Sequence, residues 1–499
     1  MSAVATGTLM THEGPQTANV RAMKRSGKAV PLLLLSGILL LALFIRLDHF
    51  SARWLDYNFV PTHLGDVGWS GAFYSTIGRN YLRYGFSTSL GPVISTGFVA
   101  SDRLSFYPNH PPLLGWFLAM SFAVFGEHEW AARLVPLLFS LGSLVVLYAL
   151  AMRYFGVPVG LLATLLMAVV PISAYYLGAF PDVQGPHVLF FILLSLWCYF
   201  RWLESGQRSY FVSLALAVYF GILADWPGAY TPVILAAYHW FTQSRNKLRP
   251  VLVLLATSMI MVLLLIWYLS WLVHDPWKIP KAFLNWSVVS TSESVSMTGR
   301  LSAVLGWITT ICFGQVLPLY TPLLLSLVAA HFIMNRHHGD TSQAPHGPHV
   351  VWMLLVFGAL HIALGLRGAS KHDYWSIYLT PGFVIAAALW IIHLSDERFR
   401  LAVRSSPIPL LVVSALGFIG LGHVAHGLDW RVSAGYFLAT TLFGLAPFIS
   451  LRLLWRMLDI AGIAITLGVV SFTLAAYGQT RMMGLADNRG GGVRSLPSG

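Results

Sequence analysis

The feature that most constrains this chain is repetition: apolar runs long enough to cross, or nearly cross, a bilayer recur along almost its whole length. A hydrocarbon core of roughly 30 Å calls for about 20 apolar residues in helical form. Inside lipid such a segment must satisfy its own backbone, which leaves the α-helix as its natural state. Helices are expected near 30–47, 133–153, 157–178, 186–203, 210–225, 229–243, 250–273, 318–335, 349–366, 376–394, 408–426, 433–451 and 458–478, with 301–317 a further buried or re-entrant segment. The fold class expected is therefore an all-α polytopic membrane protein with about 13 transmembrane helices. Composition agrees, since only 10% of the residues are charged where a soluble domain carries about a quarter. The net charge of +12 does not mark a nucleic-acid binder. The basic residues are scattered between apolar runs, whereas a nucleic-acid footprint gathers them on one surface.

Those scattered charges instead set a topology. With Arg21, Lys24, Arg25 and Lys28 inside, every expected inner loop holds a basic residue: Arg153; Arg201 and Arg208; Arg245, Lys247 and Arg249; Arg336; Arg398, Arg400 and Arg404; Arg452 and Arg456. This is the positive-inside pattern. It predicts a multi-pass protein of the plasma (inner) membrane with a cytoplasmic N-terminus and a retained signal anchor, because no small-x-small cleavage site follows the first apolar run. The expected divisions are a cytoplasmic segment 1–29, a transmembrane module 30–395 with a long first outer loop 48–132, further helices in 396–478 and a disordered outer tail 479–499. Cys198 and Cys312 lie inside apolar runs and suggest neither a disulfide framework nor a thiolate metal site.

The same topology sorts the polar residues. Asp66, Asp102, His110, Glu127, Asp182, Asp225, His274, Lys278, Lys281, Lys371, His372 and Asp373 all fall on the outer face, so chemistry is expected there. In "HLGDVGWSGAFYSTIGRNYLRYGF", Trp69, Phe73, Ile77 and Tyr81 form one row at helical spacing, and Ser75, Arg79 and Arg83 form another. That is an amphipathic helix suited to the membrane surface. Asp66, just ahead of it, reads either as an N-cap or as a carboxylate poised between a lipid-borne donor and an aqueous acceptor.

The prolines of "NHPPLLGW" present His110 from an extended segment, or simply begin a helix. Glu127, His128 and Glu129 point in different directions on a helix and read as a solvated cap. Asp182 in "AFPDVQGP" is either a turn residue or a functional acid at the membrane edge. Asp225 in "LADWPG" has the less favourable setting, because "DWPG" is a ready-made turn. Lys278, Lys281 and Lys371 run against the positive-inside bias. They fit either an anionic ligand at the interface or snorkelling to headgroups. The His-rich "RHHGDTSQAPHGPH" is read as a solvated inner loop.

Taken in order, a first membrane helix, an acidic residue before an amphipathic helix, "HPPLLGWFLAMSFAVFG", "EWAARLVPLLFSLGSLVVLYALAMRYFG", "PISAYYLGAFPD" and "KHDYWSIYLTPG" resemble membrane glycosyltransferases of the GT-C fold. The likeness is to bacterial relatives of protein O-mannosyltransferases and of lipid A aminoarabinose transferase, and it covers most of residues 30–395. The resemblance implies transfer of a sugar from a polyprenyl-phosphate carrier to an acceptor outside the cytoplasm, with inversion. It implies Asp66 and Asp182 as catalytic carboxylates, and His110, Lys278, Lys371 and His372 as donor-phosphate ligands. His274, Tyr374 and Arg79 would line the substrate cavity. Asn109 replaces an acidic residue that relatives can offer to a metal, so no metal ligands are assigned and a divalent cation stays open. Expected partners are a polyprenyl-phosphate-linked sugar, membrane lipid and a protein, lipid or glycan acceptor, but no nucleic acid. The alternatives are a lipid-linked saccharide transporter and a non-catalytic subunit of a membrane complex. Polar residues gathered at one face, without an internal repeat, favour the enzyme.

Overall fold

The computed structural model describes residues 15–47, 65–89, 91–95, 100, 103–170, 173, 185–242, 247–286, 297–311, 346–371 and 373–393. The expected helices at 318–335 and beyond residue 396 lie outside these residues, as do Asp182 and His372.

Among the described residues the chain is helical without a β-strand. In order come α1 (Pro15–Arg46), α2 (Gly65–Tyr84), α3 (Leu113–Phe125), α4 (Glu129–Phe155), α5 (Val157–Val169), α6 (Pro186–Ser205), α7 (Arg208–Ala224), α8 (Tyr230–Thr242) and α9 (Leu248–Leu272). There follow α10 (Lys278–Trp286), α11 (Met297–Thr309), α12 (Gly347–Leu364), α13 (Leu366–Lys371) and α14 (Thr380–His393). Among the described residues five helices are long and apolar enough to cross a membrane: Ala29–Arg46 of α1, α4, α6, α9 and α12; several shorter apolar helices accompany them. Prolines open α5, α6 and α12, where a missing N–H costs nothing. The helix expected at 376–394 starts later, because Asp373–Leu379 winds as a 3₁₀ segment before α14.

In the bundle α5 packs between α1, α4 and α14, while α6 pairs with α4 and α7. One apolar core runs through this bundle, with Leu144, Leu147, Leu193, Tyr199, Val384 and Ile385 buried in it. At one end, Glu204 ties α6 to α4. Its Oε2 accepts from Arg153 Nε and Nη2 at 3.1 and 2.7 Å, and its Oε1 accepts from Tyr154 Oη at 2.7 Å.

The opposite end carries the long connection between α1 and α4. Here α2 lies against α3 around a second core of Tyr74, Ile77, Tyr81, Leu114, Leu118 and Phe122. Close approach of the two helices is permitted by glycine. A Cβ on Gly78 would sit 2.5 Å from Leu118 Cβ, and one on Gly115 would sit 2.9 Å from Ile77 and Tyr81. The apolar row read as a membrane-surface face is thus largely turned onto α3, because an amphipathic helix buries its apolar row against a short, wholly apolar neighbour. Burial also pushes the Tyr81 phenol above its ordinary pKa.

Candidate functional site

Residues between α2 and α3 fold back over the bundle end as two short extended pieces, bridged at Val93 and Phe106. Ile94 N–H donates to the Ser105 carbonyl and Tyr107 N–H to the Pro92 carbonyl, each at 2.8 Å. The fully buried Asn80 of α2 pins the first piece, its Nδ2 donating to the carbonyls of Val93 and Ser95 at 2.9 and 3.0 Å. The second piece runs through Tyr107, which meets Phe73 of α2 edge-on at 4.8 Å and stacks on His110 at 5.8 Å. The helix that opens with Asp66 therefore forms a platform under His110.

His110 is met by the turn that joins α7 to α8. Its Nδ1 lies 2.7 Å from Oδ1 of Asp225. One residue on, Trp226 Nε1 donates to the Asn109 carbonyl at 2.6 Å. These two bonds latch the segment between α2 and α3 to the "DWPG" turn. Gly228 is essential to the turn, since a Cβ there would overlap the Gly221 carbonyl as the chain doubles back on α7.

Burial divides the pair: the Asp225 side chain is 0% exposed and that of His110 is 20% exposed. His110 thus connects a sealed carboxylate to accessible space. Around Asp225 stand His187 at the start of α6, Tyr230 at the start of α8 and His361 near the end of α12, all within electrostatic reach of it. Several of these groups are unusually under-bonded. Asp225 Oδ2, both ring nitrogens of His361 and Asn109 Oδ1 are buried without a hydrogen-bond partner among the described residues, while His187 meets the backbone of Ala224. Buried polar groups are paired in the great majority of cases. Such a cluster at a helix-bundle end is the mark of a site for water or ligand.

The aromatic wall continues outward. His361 stacks on Trp375 at 4.6 Å and meets Tyr378 edge-on at 5.0 Å. Trp226 meets Phe283 of α10 edge-on at 5.0 Å, and α10 leans on α13 through Arg367 Nη1 donating to the Asn285 carbonyl at 3.2 Å.

The expected residues distribute unevenly. Asp66 falls within the first turn of α2, not ahead of it. Arg79 lies on α2 with its Nε buried and lacking a hydrogen-bond partner among the described residues. Lys278 and Lys371 are exposed on α10 and α13, and Tyr374 is half-buried beside Trp375. His274 is exposed just past α9 with φ 52°, the left-handed conformation that commonly ends a helix. Glu127 and His128 are exposed and Glu129 half-buried at the start of α4, as a solvated cap should be. Among the described residues no three His, Cys, Asp or Glu side chains converge as metal ligands. The residue that sequence reasoning ranked too low is Asp225. Its signal was present: an acid directly following an apolar helix and preceding Trp-Pro-Gly.

Comparison with known proteins places this geometry. Residues 109–271, which include both His110 and Asp225, match the family model described as dolichyl-phosphate-mannose-protein mannosyltransferase. Two proteins of Bacillus subtilis (strain 168), YkcB and YycA, both provisionally designated mannosyltransferases, are 26% identical over 147 residues and 29% identical over 112 residues. Those matches cover 30% and 22% of this chain, but only 19% and 15% of the respective relatives. Among solved structures, ArnT from Cupriavidus metallidurans in the apo state superposes with a TM-score of 0.52 at 17% identity, covering 91% of this chain and 77% of that one. The chain is thus similar to membrane glycosyltransferases of the GT-C fold.

Proposed function

We propose that this protein is an integral-membrane glycosyltransferase that moves a sugar from a polyprenyl-phosphate donor to a hydroxyl acceptor outside the cytoplasm, with inversion at the anomeric carbon. The observation that carries this reading is the latch of His110 and Asn109 onto Asp225 and Trp226. It joins the first outer loop to the transmembrane bundle inside the segment that matches the mannosyltransferase family. Such a junction suits a reaction between a lipid donor and an aqueous acceptor.

The chemistry needs two roles. The donor's leaving group is already a phosphate, so its departure calls for cationic stabilisation of developing charge more than for an acid. His110, Lys278, Lys371 and His372 are proposed for that clamp. The acceptor hydroxyl needs a carboxylate to take its proton, and Asp66, at the head of α2, is proposed as that base, with Asp182 as the second carboxylate. Arg79, His274 and Tyr374 are proposed around the substrate. The N-terminus would be cytoplasmic, and the acceptor a protein, lipid or glycan of the cell envelope.

The test is transfer by purified protein in lipid, using labelled polyprenyl-phosphate sugars and envelope acceptors, with wild type and Asp66→Asn side by side. Label should move with wild type, and Asp66→Asn should lose at least about 100-fold, the usual worth of a general base. Comparable turnover by the variant removes Asp66 from the role. Folded wild type that binds the donors yet transfers none of them, across acceptors of all three classes, favours the transport reading.

A further inference from the structure

The exposed side of α9 marks the level of the membrane surface, and α10 begins at that level. Val253, Ile260, Leu264, Trp267 and Trp271 recur at helical spacing along α9 and are all exposed. On a helix long and apolar enough to span, such a stripe is lipid contact. Its change from aliphatic side chains to tryptophan marks the headgroup region. The chain then turns within a few residues. Asp275 N–H donates back to the Ser270 carbonyl and Lys278 N–H to the Asp275 carbonyl, each at 3.2 Å. Asp275 Oδ1 accepts from Trp277 N–H at 2.9 Å. The start of α10 is therefore tied to the last turn of α9, beside Trp271.

One face of α10 belongs to the protein. Ile279 is buried in the bundle core, and Phe283, four residues on, meets Trp226 edge-on at 5.0 Å. Helical geometry puts Trp277, Lys281 and Leu284 on the opposite face, with Lys278 at its edge, and all four are exposed. Neither lysine ammonium makes a hydrogen bond or ion pair among the described residues. The neighbouring α13 adds Arg367 and Lys371, and neither of these two helices contains an acidic residue.

We propose that this outward face of α10 is a docking surface for anionic phospholipid headgroups, with Trp277 and Leu284 entering the interface and Lys281 holding a headgroup phosphate. Lys281 has no part in the donor clamp proposed above, and the inference stands apart from the transferase reading. Composition decides the occupant. Against lipid tails, an unpaired ammonium group is costly. Against water alone, tryptophan and leucine aligned on one face leave apolar area exposed with nothing gained. Their combination with lysine is that of a helix lying in the membrane surface. There the lysine stem runs along apolar side chains, and its charge is drawn to negative lipid in preference to zwitterionic lipid.

The experiment follows amide exchange in residues 277–286 of the purified full chain in lipid nanodiscs. One set of discs is phosphatidylcholine alone. A second has about a third of it replaced by phosphatidylglycerol, which gives the surface a negative potential. The last is phosphatidylcholine carrying a little undecaprenyl phosphate. In wild type, phosphatidylglycerol should slow exchange about 5- to 30-fold, the attraction of one or two lysines to an anionic surface. Salt at about 1 M should erase that slowing. Lys281→Arg should keep the response, Lys281→Gln should reduce it about fivefold, and Lys281→Glu should abolish it. Because Lys281 is exposed, all three variants should melt with wild type, which separates headgroup binding from folding. The proposal is overturned if phosphatidylglycerol leaves wild-type exchange unchanged, or if Lys281→Glu responds as wild type does. Slowing by undecaprenyl phosphate with none by phosphatidylglycerol also overturns it, and assigns α10 to a polyprenyl-phosphate ligand instead.

Discussion

Glu204 and Asp225 sit at opposite ends of the same helical hairpin, α6 and α7, and the protein treats them in opposite ways. Glu204 uses both oxygens: Arg153 and Arg201 share one and Tyr154 takes the other. Its charge is cancelled where it stands, and the result is a brace between α4 and α6. Asp225 is more deeply buried, yet it spends one oxygen on His110 and leaves the other without a hydrogen-bond partner among the described residues. A buried ion pair brings little net stability even when complete. A half-used carboxylate in the interior is a cost, and the fold keeps it near His361, whose two ring nitrogens are also without a hydrogen-bond partner among the described residues. The contrast separates a polar group that builds the bundle from one that the bundle is built to hold.

The sharpest way to break this comparison is to remove each carboxylate and read stability and transfer together. Asp225→Ala strands His110 against a void, and should cost about 3 kcal/mol in thermal unfolding while lowering transfer per folded molecule. Glu204→Gln keeps the shape but not the charge of the brace. It should cost ~1–3 kcal/mol and leave transfer per folded molecule unchanged. Equal loss of transfer from both variants would show that both ends serve only the fold.

A second pair of variants sharpens the account of the platform. Gly78→Ala pushes into Leu118 and should cost ~1–3 kcal/mol, as overpacking does. Because α2 carries Asn80 and Phe73 under the His110 loop, transfer should fall further than the melting temperature suggests. Trp226→Phe deletes a single bond to the Asn109 carbonyl. It should cost about 0.5–1.5 kcal/mol, seen as faster amide exchange in residues 105–112 with the bundle core unchanged. The smallest effect belongs to Lys281→Ala on the exposed face of α10, within about 0.5 kcal/mol; a larger change would give this lysine a structural role that its exposure argues against.

Much of this was legible in the residues. Each spanning helix that falls among the described residues was expected within a few positions, because the bilayer demands one length and one polarity of every segment that crosses it. The amphipathic helix at 65–84 announced itself by spacing alone, and so did the glycine and proline punctuation at the helix ends. What spacing did not carry was the partner of that helix. Ile77 and Tyr81 face α3, because the neighbour that covers an apolar row is chosen by the path of the loop and not by the row. His274 and Asp225 show the same limit from two sides. Both read as outer-loop polar residues; one ends a helix in the open, the other is sealed.

By itself, then, the amino-acid order determined that this is a multi-pass membrane chain and, within a few positions, where its long apolar helices lie. Those properties depend on neighbours a few residues apart. Only the tertiary structure decided that His110 meets Asp225 across 115 positions of chain, and that His187 and His361 come to stand around the same carboxylate. The burial of a charge and the bond that compensates it are made by groups from four separate helix ends, and no local pattern can encode which of them arrive.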